Sequence, residues 1–211
     1  MKKKLTQTLV AGTLLSIAIP VMADSPWLVR LRGIGVLPSE SSSTISIIGG
    51  KVTHISNEIV PELDFSYFVT PHIAAELILA TSRHSVEATN TVLGTVNLGK
   101  VSVLPPTLTA QYHFDLSPHI KPYAGVGINY SYFFDVNSGP VATKIHYSSS
   151  VGPALQIGAD FAINDHVFIN ADLKKIWLNS NVKVYTPIAQ LNTKVNIDPW
   201  IVGLGVGYRF S

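Results

Sequence analysis

The segment Ile197 to Phe210, read I-D-P-W-I-V-G-L-G-V-G-Y-R-F, leaves this chain few ways to fold. From Trp200 every second residue is apolar or aromatic: Trp200, Val202, Leu204, Val206, Tyr208 and Phe210. Between them fall Ile201, Gly203, Gly205, Gly207 and Arg209. A period of two with one greasy face marks a strand. Glycines on the second face would pack nothing in a soluble sandwich. They suit the narrow lumen of a closed barrel. The greasy face then meets lipid, with Tyr208 and Phe210 at an interfacial girdle. The expected fold class is all-β: an eight-stranded antiparallel transmembrane β-barrel of the outer-membrane type.

The same alternation recurs along the chain. It is expected over Trp27–Val36, Val60–Val69, Ile73–Ala80, Pro105–Phe114, Ile120–Phe134, Ser150–Ile163 and Val167–Leu178. Short connections follow the second, fourth and sixth of these segments. The Ser-, Thr- and Gly-rich stretches 37–59, 83–104, 135–149 and 179–196 read as long loops. Short periplasmic turns and long extracellular loops are the habit of outer-membrane barrels. His72, His119 and His166 recur at a spacing of 47 residues, one at each short turn. They read as polar turn residues, since a barrel rim holds them too far apart for a ~2 Å metal shell. No metal or other cofactor is expected.

Composition agrees with dispersed membrane contact. The chain has 211 residues, is 46% hydrophobic and is only 13% charged, about half the charged share of ordinary soluble domains. Yet no run reaches the ~18 apolar residues of a membrane helix. With no cysteine, disulfides, thiolate zinc sites and cysteine nucleophiles are excluded. Residues 1–23 read as a signal peptide: Lys2 to Lys4, an apolar run Leu9 to Ile19, Pro20, then Val21-Met22-Ala23. The barrel domain is then 24–211. Losing three lysines takes the formal charge from +2 to −1, so the alkaline isoelectric point is no argument for nucleic acid.

Strand parity sorts the inward side chains. Arg30, Arg32, Glu62, Asp64, Glu76, Asp160, Asp172, Lys174 and Arg209 face the lumen. Eight-stranded barrels are just wide enough for side chains to fill, so these charges should pair into a polar plug. Their heights fall at the middle and periplasmic levels. Ile34, Ile78, Phe133, Ile176 and Ile201, with Ala80 and Ala154, fall toward the extracellular end. That order forms an apolar vestibule, a candidate binding site for a small apolar ligand. An enzyme acting on lipid would need a nucleophile and a base. One H-x-S, His146-Tyr147-Ser148, continues the inward parity of Gly152 and lacks an orienting acid. No catalytic residues are expected. The alternative to ligand passage is a structural or surface-recognition role for the loops.

Several segments in order resemble the OmpW family of bacterial outer-membrane proteins. They are Leu104-Pro105-Pro106-Thr107-Leu108 with Gln111-Tyr112-His113-Phe114, Pro122 to Tyr130 with Phe133-Phe134, and Asp198-Pro199-Trp200 with Gly207-Tyr208-Arg209-Phe210. The resemblance implies an eight-stranded barrel with a hydrophobic lumen that admits small apolar molecules. Expected partners are outer-membrane lipid, a small apolar ligand and, through the last strand, the barrel-assembly machinery. A monomer is expected. Two departures stand out: Ser211 follows the terminal aromatic, and Lys174 holds a lumen position where an aromatic would make a more hydrophobic passage.

Overall fold

A computed structural model describes residues 25–210; the expected signal peptide lies outside them. The described chain is all strand. In order come β1 (Trp27–Leu37), β2 (Ser41–Ser42), β3 (Gly49–Ile55), β4 (Glu58–Phe68) and β5 (Ile73–Ala80). Next are β6 (Ser82–Thr91), β7 (Gly94–Leu104), β8 (Thr107–His113), β9 (Ile120–Ser138) and β10 (Lys144–Tyr147). The last are β11 (Ser150–Ala162), β12 (Val167–Ile176), β13 (Asn179–Tyr185), β14 (Gln190–Asn196) and β15 (Trp200–Arg209).

Eight of these close a ring. β1 pairs β4, and the antiparallel ladder runs on through β5, β8, β9, β11 and β12 to β15, which pairs β1 again. Closure removes every sheet edge from the hydrocarbon, where an unpaired backbone group has no partner. The outward residues Leu31, Leu63, Leu108, Val126, Ile157 and Leu204 are exposed, a waste in water and a requirement in lipid. Rings frame this band. At the short-turn end Trp27 meets Tyr67 edge-on at 5.0 Å, Tyr112 meets Phe114 at 4.9 Å and Tyr208 meets Phe210 at 5.1 Å. At the other end stand Tyr130, Tyr132, Trp177 and Trp200.

The short turns are capped by their own side chains. Thr70 Oγ1 accepts from the amides of His72 and Ile73, and Asn164 Oδ1 from those of His166 and Val167. His72 and His166 then repeat one arrangement. Each Nδ1 lies 3.2 Å from a backbone carbonyl of the neighbouring strand, that of His113 or Arg209. Each ring stacks on a girdle tyrosine, Tyr112 or Tyr208, at 5.8 and 5.9 Å. The two histidines fasten the rim.

The lumen-facing glycines of β15 answer to the arginines of β1. In register, Arg30 opposes Gly207, Arg32 opposes Gly205 and Ile34 opposes Gly203. A Cβ at Gly205 would stand 2.7 Å from Arg32 Cγ and would strike the Leu31 carbonyl. The arginine stems therefore lie across a glycine track. Gly205→Leu is expected to lower the unfolding midpoint in urea, through a stability loss of about 1–3 kcal/mol from overpacking. Gly33→Leu points into open space on the lipid side and should leave that midpoint unchanged.

The four expected long loops are largely strands, and this corrects the reading of 37–59, 83–104, 135–149 and 179–196. β3, β6, β7 and the upper part of β9 form one sheet, while β10, β13, β14 and β2 form another. Their inner faces bury a shared core that includes Val52, Val86, Leu98, Val182, Val184 and Leu191. A small β-sandwich thus sits on the barrel. Bulges hid it, because each one flips the parity that alternation depends on. Register shifts fall at Val52/His54, Val86/Glu87 and Lys100/Ser102. Gly99, at φ +105°, lets the buried series Val96 and Leu98 resume at Val101.

Candidate functional site: a charged waist beneath an apolar cup

Inward parity from eight strands brings the charges together at mid-height. Arg30 grips Asp160 bidentately, Nε to Oδ1 at 3.0 Å and Nη2 to Oδ2 at 2.6 Å. Its Nη1 donates to Ser66 at 2.8 Å and reaches Asp64 and Glu76 at 3.3 and 3.2 Å. Arg32 donates to Glu62 at 2.8 Å and to Asn170 at 2.9 Å, and its Nη2 lies 2.7 Å from Asp64 Oδ2. Lys174 Nζ bridges Glu62 and Asp172 at 2.8 and 2.6 Å. Tyr123, Gln111 and Gln156 satisfy carboxylate oxygens that remain. Three cations and five carboxylates, all at most 4% exposed, thereby fill the lumen. In so dry a place isolated charges would be costly, and dense pairing is what makes them tolerable.

Arg209 stands apart. Its guanidinium lies 4.3 Å above the Phe68 ring, at the short-turn end. There Leu28, Phe68, Ala74 and Phe168 form a small apolar cluster. The charges are thus a waist, with apolar layers above and below. The sequence reading puts the charges at the middle and periplasmic levels; eight of them gather in the waist and Arg209 lies at the short-turn end. Phe68 and Phe168 were the missed signal: they sit at inward parity at the strand ends.

Above the waist is a largely apolar cavity. Ile34, Ile78, Phe133, Ile176 and Ile201 all line it, and Glu62 and Lys174 contribute to its floor. Its upper wall comes from the sandwich, through Val52, Val86, Leu98, Val182 and Val195. His84 and Tyr147 line it as well. These upper residues are not legible by parity because their segments have the composition of loops.

The wall beside the cavity is interrupted. β5 pairs β8 up to Ile78 opposite Thr107, and the ladder resumes only at Ser82 opposite Val103. The register is unbroken, so Leu79, Ala80 and Thr81 face Leu104, Pro105 and Pro106 without ladder pairing. Prolines have no amide hydrogen to donate. The Pro105 carbonyl instead accepts from Asn129 Nδ2 at 3.0 Å and Thr107 Oγ1 at 3.1 Å. Ala80 and Pro105 belong to the cavity lining, so this window opens beside the cup.

His146 and Ser148 do not form a nucleophilic pair. His146 is exposed on the sandwich, opposite Lys183, because the chain breaks strand geometry at 148–149 and parity is not carried across. That corrects the inward placement. Among the described residues no hydrogen bond joins the two side chains.

The profile of the OmpW family matches residues 25–210. This chain belongs to the OmpW family. An outer-membrane protein of Sinorhizobium fredii, y4mB, is 43% identical over 88% of this chain and 80% of its own. Outer membrane protein W of Salmonella typhi is 32% identical over the whole of both chains. The crystal structure of OprG from Pseudomonas aeruginosa superimposes with a TM-score of 0.81 at 26% identity, covering 89% of this chain and 97% of its own. Fold, family and outer-membrane location are therefore shared.

Proposed function

We propose that this barrel takes up small hydrophobic molecules from outside, holds them in the apolar cup, and releases them sideways into the membrane. The observation that carries this reading is the position of an apolar cavity directly above a waist sealed by ion pairs. A molecule entering from above meets Ile34, Phe133 and Ile201, then a floor of charge that no apolar solute can cross cheaply. The unpaired stretch at Leu79–Thr81 and Leu104–Pro106 offers the remaining way out. A Pseudomonas aeruginosa relative, 24% identical over 93% of this chain and 95% of its own, is named a dibenzothiophene metabolism operon protein. Dibenzothiophene is a flat apolar heterocycle, the class of solute such a cup suits.

Because the natural chain has no cysteine, the window can be stapled cleanly. Ala80→Cys with Pro105→Cys should cross-link under oxidation and stop transfer of naphthalene into proteoliposomes, and a reductant should restore it. Transfer that continues through the oxidised protein would refute the sideways route. Absence of transfer even in the reduced and wild-type proteins would refute uptake itself.

A further inference from the structure

The polar groups around the cup are nearly all spoken for. Ser82 Oγ lies 2.8 Å from His84 Nε2, whose other nitrogen is 2.7 Å from the Ser56 carbonyl. Ser131 donates to Asn129 at 2.7 Å, and Ser180 to the Ser148 carbonyl at 2.8 Å. Thr107 donates to Pro105, while Glu62 and Lys174 bond each other. Tyr147 differs. Among the described residues its hydroxyl has no hydrogen bond, although the residue lines the cavity and is held by β13. Nor is that hydroxyl sealed away from small molecules.

The ring of Tyr147 stacks on Phe133 at 5.6 Å between centroids, 28° between planes. The two rings therefore pack on each other, and the Tyr147 hydroxyl stands beside them. Burial pushes the Tyr147 phenol above its usual range, so it stays a neutral donor at every physiological pH. A half-buried donor without a partner in the protein is worth more to an incoming acceptor than a fully exposed one, since water competes less for it.

We infer that Tyr147 and Phe133 form a recognition platform for small aromatic molecules that carry a hydrogen-bond acceptor. A ring face left open by that pair stacks the flat body, and the Tyr147 hydroxyl donates to the acceptor atom. This inference rests on the uptake reading and narrows it from any apolar solute to one class. Pure hydrocarbons would enter the cup but leave the donor unmatched.

Two probes of one shape separate these cases: 2-acetylnaphthalene, and 2-isopropenylnaphthalene, in which a methylene replaces the ketone oxygen. Binding would be measured by equilibrium dialysis against full-length protein in nanodiscs, with empty nanodiscs subtracted. Tyr147→Phe keeps the stack and removes the donor. It should weaken the ketone about three- to tenfold, the span of one hydrogen bond, and leave the alkene within twofold. Tyr147→Leu should weaken both. Equal effects of Tyr147→Phe on the two probes, or no effect on either, would overturn the donor role. An unaltered response to Tyr147→Leu would overturn the platform. If wild-type protein binds neither probe, the cup itself is not a binding site and the inference falls with it.

Discussion

Phe133→Asp is expected to reduce uptake of naphthalene at least tenfold while leaving the barrel folded. Phe133 lies on the upper part of β9, opposite Val103, and touches both the sandwich core and the barrel-top cluster of Ile34, Ile176 and Ile201. A carboxylate there would either stay charged, drawing water into the cup, or take up a proton at a cost of several kcal/mol. Either outcome spoils an apolar site. The membrane wall is untouched, so heat-modifiable electrophoretic mobility should persist. Ile201→Asp is a less decisive test, because Ile201 faces Lys174 directly across β12 and β15 and the new carboxylate would find a cation. Uptake that survives Phe133→Asp would remove the cup from the pathway.

Arg32→Ala should destabilise the barrel by about 3–5 kcal/mol, the usual cost of breaking a buried charge network from one side. Arg32 contacts Glu62, Asp64, Glu76 and Asp172, so its loss leaves two cations facing five carboxylates in the waist. Water must then enter to solvate them. Unfolding in urea from lipid vesicles would report the stability loss, and planar-bilayer recording should show ion conductance that the wild type lacks. If both measurements were unchanged, the waist would be hydrated already and would not serve as a seal.

Much of this architecture is legible in the sequence because a barrel in lipid obeys period two without exception inside the hydrocarbon. Arg30, Arg32, Asp64 and Glu76 can be placed in the lumen by parity alone, and their pairing follows from the cost of burying them apart. The glycine track of β15 is likewise readable, although its specific partners, the Arg30 and Arg32 stems, required the register. Above the membrane the rule weakens. Val96, Leu98, Val101 and Val103 carry a strand pattern, but the Gly99 bulge shifts it by one residue, and flanking Thr, Asn and Ser mimic loop composition. The sandwich was lost for that reason, and with it the His84 and Tyr147 wall of the cup. The proline pair Pro105-Pro106 stands in plain view, but its consequence depends on what lies across from it. Only the neighbouring ladder, silent at Leu79 to Thr81, turns two prolines into a window.

The resting place of an apolar molecule decides between these routes. A crystal of the protein soaked with 1-bromonaphthalene, with bromine located by anomalous scattering, answers that directly. The expected result is one bromine site above Lys174, within reach of Ile34, Phe133 and Ile201. Bromine confined to the lipid-facing wall, or found below the Arg30–Asp160 pair, would contradict it.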